Sequence, residues 1–164
     1  MDDKKHSEVA MVLGRVPSGI FILTARDGAG RETGMLCSWV QQVAFSPPLI
    51  SVVIRNDRYV NEWIERTGKA AINIVGESQK HFLSHFGRGF KIDDPAFEGI
   101  ETARSPLGLP VLTEALGYLE CRAVAKYVAA DHFMHLLEVV SAGTGEMLHE
   151  EQPMVHIRKN GLNY

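Results

Sequence analysis

The reading of the fold turns on residues 34–54, GMLCSWVQQVAFSPPLISVVI. An ordinary core strand carries Val or Ile where this segment carries Cys37, Ser38, Gln41, Gln42 and Ser46. Two explanations are open: a half-buried strand with one solvated face, or a backbone strip kept clear for a ligand. Neither Pro47 nor Pro48 has an N–H to give a central ladder, so the pair marks a sheet edge or a connection. Residues 33–40 therefore read as one strand, residues 43–46 as its continuation after a kink, and residues 49–54 as the strand leaving the turn.

Upstream, IFILTA at 20–25 is a buried-strand run, and the Asp-Gly in Arg26-Asp27-Gly28-Ala29-Gly30 signals a hairpin into residue 33. Residues 7–14 read as a short helix capped by Ser7, with Val9, Val12 and Leu13 on its apolar face. Downstream, Val60, Trp63 and Ile64 fall on one face of a helix ending near Arg66. Asn56 or Asp57 would cap that helix and Gly68 stop it. AAINIV at 70–75 is a strand, and residues 78–86 are helical up to Gly87. Residues 87–110, rich in Gly, Pro and Asp, form a long irregular excursion of the kind that usually serves function. Two long strands at 116–129 and 133–142 meet at Ala130-Asp131-His132, and 154–157 offers a last strand. Hairpins outnumber helical crossovers, so the chain is expected to be mainly β, an antiparallel sheet or barrel with a few short helices.

The chain has 164 residues, enough for one domain with a sizeable core and without staples. Hydrophobic residues make up 45% and charged residues 23%, a globular composition. No apolar run approaches the roughly 20 residues that span a bilayer, and MDDKKHSEVA at the start lacks a signal-like apolar stretch, so no membrane is expected and the cytoplasm is the default location. Cys37 and Cys121 form no CxxC, which argues against a disulfide framework or a cysteine zinc site. Net charge is −3 with the basic residues scattered, so there is no basic stripe for nucleic acid.

Residues 28–34, GAGRETG, follow a strand and nearly spell a dinucleotide fingerprint, but have one residue too many before the last Gly and lead into a strand, so the hairpin prevails. His81 and His85 stand at i, i+4, but no acidic third ligand completes a pattern, and no metal is expected. His132 and His135 would face opposite sides of a strand. Arg55-Asn56-Asp57-Arg58 places two guanidiniums where a strand hands over to a helix, an arrangement suited to an anion.

Taken in order, the opening stretch, IRNDRYVNEWI, AAINIV, HFGRGFK, ADHFMHLLEVV and QPMVHIRKNGLNY resemble the flavin reductase-like family. That resemblance runs from Val16 to Tyr164 and implies a single FMN-binding split barrel over 1–164. It implies that Gly34, Met35, Leu36, Cys37, Ser38 and Trp39 line a flavin ring, largely through backbone groups. Arg55, Asn56, Arg58 and Tyr59 would meet the ribityl phosphate, and His85, Phe86, Gly87 and Lys91 would belong to a loop closing over the flavin. His132 would stand near the reactive face, where nicotinamide stacks, as the catalytic candidate. Small side chains at Gly34, Cys37 and Ser38 suit the approach of a flat ring, while Trp39 either packs on that ring or fills the core.

The activity implied is that of an NAD(P)H-dependent flavin reductase, with FMN (FAD as the alternative) and a nicotinamide nucleotide as small-molecule partners, in a homodimer. The rival is an FMN-binding electron carrier that serves a protein electron acceptor without NAD(P)H; a barrel that has lost flavin and acts as a binding domain is the third. The family's phosphate hydroxyl is replaced here by Arg-Asn-Asp-Arg, so Asp57 must turn away as a cap for tight binding.

Overall fold

The computed structural model describes residues 3–163. Its elements run α1 (Asp3–Gly14), β1 (Ser18–Gly19), β2 (Phe21–Arg26), β3 (Glu32–Cys37), β4 (Val40–Phe45), β5 (Pro48–Arg55), α2 (Val60–Thr67) and β6 (Lys69–Ile74). The second half contains α3 (Lys80–Phe86), β7 (Thr102–Arg104), β8 (Pro110–Leu112), β9 (Gly117–Ala129), β10 (His132–Thr144) and β11 (Val155–His156). Seven strands form one antiparallel sheet in the order β3-β2-β6-β9-β10-β5-β4. The fold is the mainly β, antiparallel split barrel expected from the sequence.

The ends of that sheet explain why it curls. Its edge strands β3 and β4 are consecutive in the chain, joined only by Ser38 and Trp39. Laid flat, seven strands at ~4.8 Å spacing would separate the edges by about 29 Å, whereas three extended steps from Cys37 to Val40 reach only ~11 Å. The sheet must roll until its edges nearly meet, and no ladder joins β3 to β4 across the seam. The expected single strand over 33–40 with a kinked continuation is therefore corrected. The strand stops at Cys37, and β4 begins on the opposite edge, with Gln41 and Gln42 exposed on it. Ser46 and Pro47 form the loop between the Phe45–Pro48 pair, with a cis peptide bond between them, so the proline pair does mark an edge connection.

Barrel filling follows from alternation. Leu23 and Ala25 of β2 point inward with Ile50, Val52, Ile54, Ile72, Cys121 and Leu137, and α2 plugs this core with Val60, Trp63 and Ile64. Ile20 and Ile22 bury against Phe82 and Phe86 on the outside, so β2 is covered on both faces and IFILTA needs no polar stripe. Asn73 ties β6 to its neighbours, donating to Ile22 O at 2.9 Å and accepting from Leu112 N at 2.8 Å.

Several local expectations change. Ser7 lies inside α1 instead of capping it, and Val9, Val12 and Leu13 are exposed while Ala10 is buried. The excursion at 87–110 contains strand β7, which pairs with β8. It is pinned by the buried carboxylate of Glu120, which accepts from Ser105 Oγ and, at 2.7 Å, from Leu107 N. Neither Asn56 nor Asp57 caps α2: Tyr59 is its N-cap without a side-chain bond, and Asp57 pairs with Arg55 Nη2 at 2.9 Å. Gly68 does end the helix, at φ 67° with its N–H on Ile64 O at 2.8 Å. Among the described residues no helix is long and apolar enough to cross a membrane.

Candidate functional site

The seam between the edges opens into a cleft of about 290 Å³. Met35, Leu36, Cys37 and Ser38 form one wall, Val53, Ile54, Arg55 and Arg58 the second, and Leu83, Phe86, Gly87 and Gly89 the third. Ile20 and His156 complete it. The wall of strand β3 lies at a sheet edge with no partner strand beyond it, so its outward backbone groups face the seam. Apolar walls with two guanidiniums at one end make a site for a flat, amphipathic ring carrying an anionic tail.

A second cleft of about 400 Å³ shares Ser38 and Val53 with the first. Trp39, Gln41 and Ser51 line it, with Ser18 from β1 and Arg158 from the C-terminal segment. The Arg158 guanidinium lies over the indole, 5.2 Å from the ring centroid. Behind the indole sits His132, its ring centroid 5.0 Å from that of Trp39. His132 Nδ1 is 2.8 Å from Asp131 Oδ1, and that hydrogen bond holds the Asp131 carboxyl below its ordinary pKa. An ionised carboxylate can only accept, so Nδ1 carries a hydrogen toward Asp131, and Nε2 is the ring nitrogen turned away from it. That Nε2 is buried without a hydrogen-bond partner among the described residues.

Of the fifteen residues singled out from the sequence, eight line the first cleft: Met35, Leu36, Cys37, Ser38, Arg55, Arg58, Phe86 and Gly87. Trp39 belongs to the second cleft, and His132 lines neither. Gly34 lies beneath the wall: a Cβ there would stand 2.9 Å from Phe86 Cδ1, so its bareness admits the Phe86 ring. Tyr59 turns to Thr33 Oγ1, at 2.7 Å, and burial raises its phenol pKa. Asn56 donates its N–H to Asp131 O at 3.0 Å, fastening the loop to the β9–β10 hairpin. His85 Nε2 meets Ala96 O at 2.8 Å, and Lys91 N donates to Asp94 Oδ2 at 2.8 Å; both order the excursion outside the cleft. His81 turns to Glu114, 3.4 Å away, so the two helical imidazoles take separate partners. Among the described residues no three His, Cys, Asp or Glu side chains stand together as a metal site. The Cys37 thiol points into the barrel core, where burial pushes its pKa up to about 12.

Residues that the sequence did not single out also matter. His156 reaches the first cleft from β11, within the strand offered at 154–157, but nothing local marked this side chain as part of a site. Asn61 and His135 join across the core at 2.8 Å. A hint existed for His135, which stands two residues before the buried Leu137, on the alternation of a core face.

Comparison with known proteins gives the family and the fold. Over 159 residues, or 96% of its length, the chain is 31% identical to diflavin flavoprotein A 1 of Synechocystis sp., and it spans only 27% of that protein. The chain thus covers about a quarter of the curated relatives it matches. The fold is shared with the NADH:FAD oxidoreductase SgcE6 of Streptomyces globisporus C-1027, at TM-score 0.84 and 22% identity over 96% of this chain and 91% of that one. The styrene monooxygenase flavin reductase of Pseudomonas putida S12 superposes at TM-score 0.77 with 25% identity, covering 90% of each chain. Residues 13–161 match the family described as flavin reductase like domain, and the chain belongs to that family.

Proposed function

We propose that this chain is an NAD(P)H-dependent flavin reductase that holds FMN in the first cleft. The observation that carries the reading is the meeting of the β3 edge, Met35 to Ser38, with Arg55 and Arg58 at one end of an apolar cleft. A bound flavin would supply the two-electron chemistry, accepting hydride from the nicotinamide. The residues present fit such a group: an open strand edge matches the donors and acceptors of a pyrimidine edge, and Arg58 offsets a phosphate, joined by Arg55 once its guanidinium is shared with or released from Asp57.

For direct hydride transfer the nicotinamide ring would stack on the flavin where the two clefts meet at Ser38 and Val53, with the rest of the nucleotide running into the second cleft past Trp39 toward Arg158. His132 is then a positioning residue. Braced by Asp131, it supports the indole from behind and does not itself touch either ligand. The two buried free thiols suit a reducing compartment, and we place the protein in the cytoplasm. Phe45 and Val43 on the edge strand β4, and Val128 on β9, are exposed apolar side chains that a second copy would cover in a homodimer.

A second reading is favoured by the diflavin flavoprotein match, which covers only part of that protein's length. In it the chain is a flavin module passing electrons to a protein partner without NAD(P)H. One experiment separates the two. Purified protein is titrated with FMN, and NADH or NADPH oxidation is followed with and without flavin. Flavin-dependent oxidation supports the reductase. Tight FMN binding with no oxidation of either nucleotide refutes it in favour of the electron module.

A further inference from the structure

The loop that carries Arg55 and Arg58 is shaped from the inside. Asn61, 4% exposed in the first turn of α2, donates through Nδ2 to Arg55 O at 2.7 Å and to Arg58 O at 2.9 Å. One nitrogen thus holds both ends of residues 55–58. This fixes the amide, because the flipped orientation would set Oδ1 against two carbonyl oxygens. Oδ1 must therefore accept, and its partner is His135 Nε2 at 2.8 Å. His135, 1% exposed, consequently carries its hydrogen on Nε2. Burial lowers the pKa of this imidazole, reinforced by Lys126 and opposed by Glu65, so the donor stays neutral. Strand register anchors the other side, since His135 pairs with Val52 of β5, three residues before Arg55.

We infer that Asn61 and His135 are positioning residues for anion recognition, a buried relay that holds residues 55–58 in the form presenting both guanidiniums to a phosphate monoester. Neither lines a cleft, so they act only through the loop. The inference rests on the reading of the first cleft as a flavin phosphate site. Backbone N–H groups already reach these carbonyls, Arg58 N on Arg55 O at 3.2 Å and Asn61 N on Arg58 O at 3.1 Å, and the Asn61 amide adds a second donor to each, locking the turn from the core side.

The test is a pair of titrations, FMN against riboflavin, followed by quenching of flavin fluorescence. The two ligands differ only by the phosphate, so the ratio of their Kd values isolates its recognition. Wild-type protein is expected to prefer FMN by roughly tenfold to hundredfold, the worth of one or two charge-assisted hydrogen bonds. Asn61→Ala and His135→Leu are expected to cut that preference by about tenfold, with the riboflavin Kd within about twofold of wild type. His135→Gln, whose amide can still donate to Asn61, keeps the preference. Riboflavin binding also reports that the barrel is folded. Should Asn61→Ala fail that control, the comparison of His135→Leu with His135→Gln decides, and equal ratios in the two overturn the inference. A wild-type preference for FMN that survives Asn61→Ala or His135→Leu overturns the relay and leaves the cleft assignment standing. A wild type with no preference overturns both.

Discussion

Gly34→Ala tests the packing that forms the first cleft. Gly34 has an ordinary φ, so alanine fits its backbone. Replacing a strand glycine should then stabilise the fold by about 0.5–1 kcal/mol, through reduced freedom of the unfolded chain. Packing predicts the opposite sign. The new Cβ would stand 2.9 Å from Phe86 Cδ1, closer still to Cε1, and 3.3 Å from Phe97 Cε1. Phe86 is 1% exposed and lies among Leu36, Phe82, Phe90 and Phe97, so its ring moves aside only at the cost of those contacts or by entering the first cleft that it lines. Overpacking of this kind costs about 1–3 kcal/mol, leaving a net loss of roughly 0–2.5 kcal/mol with a midpoint near 1 kcal/mol, or ~2–4 °C in Tm at that midpoint for a chain of this length. Urea denaturation of the single variant, of Phe86→Leu and of the double variant measures both the loss and its source. The cycle should recover about 1 kcal/mol of coupling, because a smaller side chain at 86 makes room for the methyl. A Gly34→Ala protein as stable as wild type, or an additive cycle, would refute the claim that Gly34 is bare for Phe86.

Three further outcomes are expected. Thiols ionise near pH 9 in an unfolded chain but only at about 12 for Cys37 and Cys121, so above pH 9 the unfolded state binds fewer protons than the native one. Stability from these thiols is therefore full below pH 9 and falls towards pH 12, by at most about 1.4 kcal/mol per pH unit per thiol, and a Cys37→Ala, Cys121→Ala variant should show a flatter alkaline limb in denaturation. Ala130 has φ 53° in the two-residue β9–β10 loop, and Ala130→Gly relieves a left-handed penalty of ~1–2 kcal/mol against an entropic cost of ~0.5–1, so Tm should rise by a few degrees. On the reductase reading, Arg158→Gln should raise KM for NAD(P)H about tenfold with the FMN Kd unchanged, in steady-state assays at saturating flavin.

The sequence was legible where a local pattern and a tertiary need coincide. The IFILTA run is apolar but for Thr24, whose buried hydroxyl donates to Pro110 O, because both faces of β2 are covered, and the Asp27 loop is a hairpin, closed by Arg26 opposite Glu32. Its detail differs from the Asp-Gly signal: Asp27 Oδ1 accepts from Ala29 N and Arg31 N, and the positive φ falls on Gly30. The break at Ser38-Trp39 was not legible, because nothing local says that strands adjacent in sequence will lie at opposite edges of a sheet. Helix capping failed for a related reason. Asp57 is taken by Arg55, and the polar group that organises the start of α2 is Asn61, inside the helix and facing the core. At the site, the two arginines and the small-residue segment were readable from charge and size. The division of that segment between two clefts, and the inward turn of Tyr59 and His85, depend on contacts distant in sequence.

The two-residue crossover has a thermodynamic corollary. Ser38 and Val53 are common to both clefts, so a ligand that displaces this partition changes two binding sites in one movement, without a pathway through the core. Linkage then requires reciprocity: whatever factor the first occupant applies to the affinity of the second, the second returns to the first. On the reductase reading, the lining shared by Ser38 and Val53 is where occupancy of one cleft would be felt in the other.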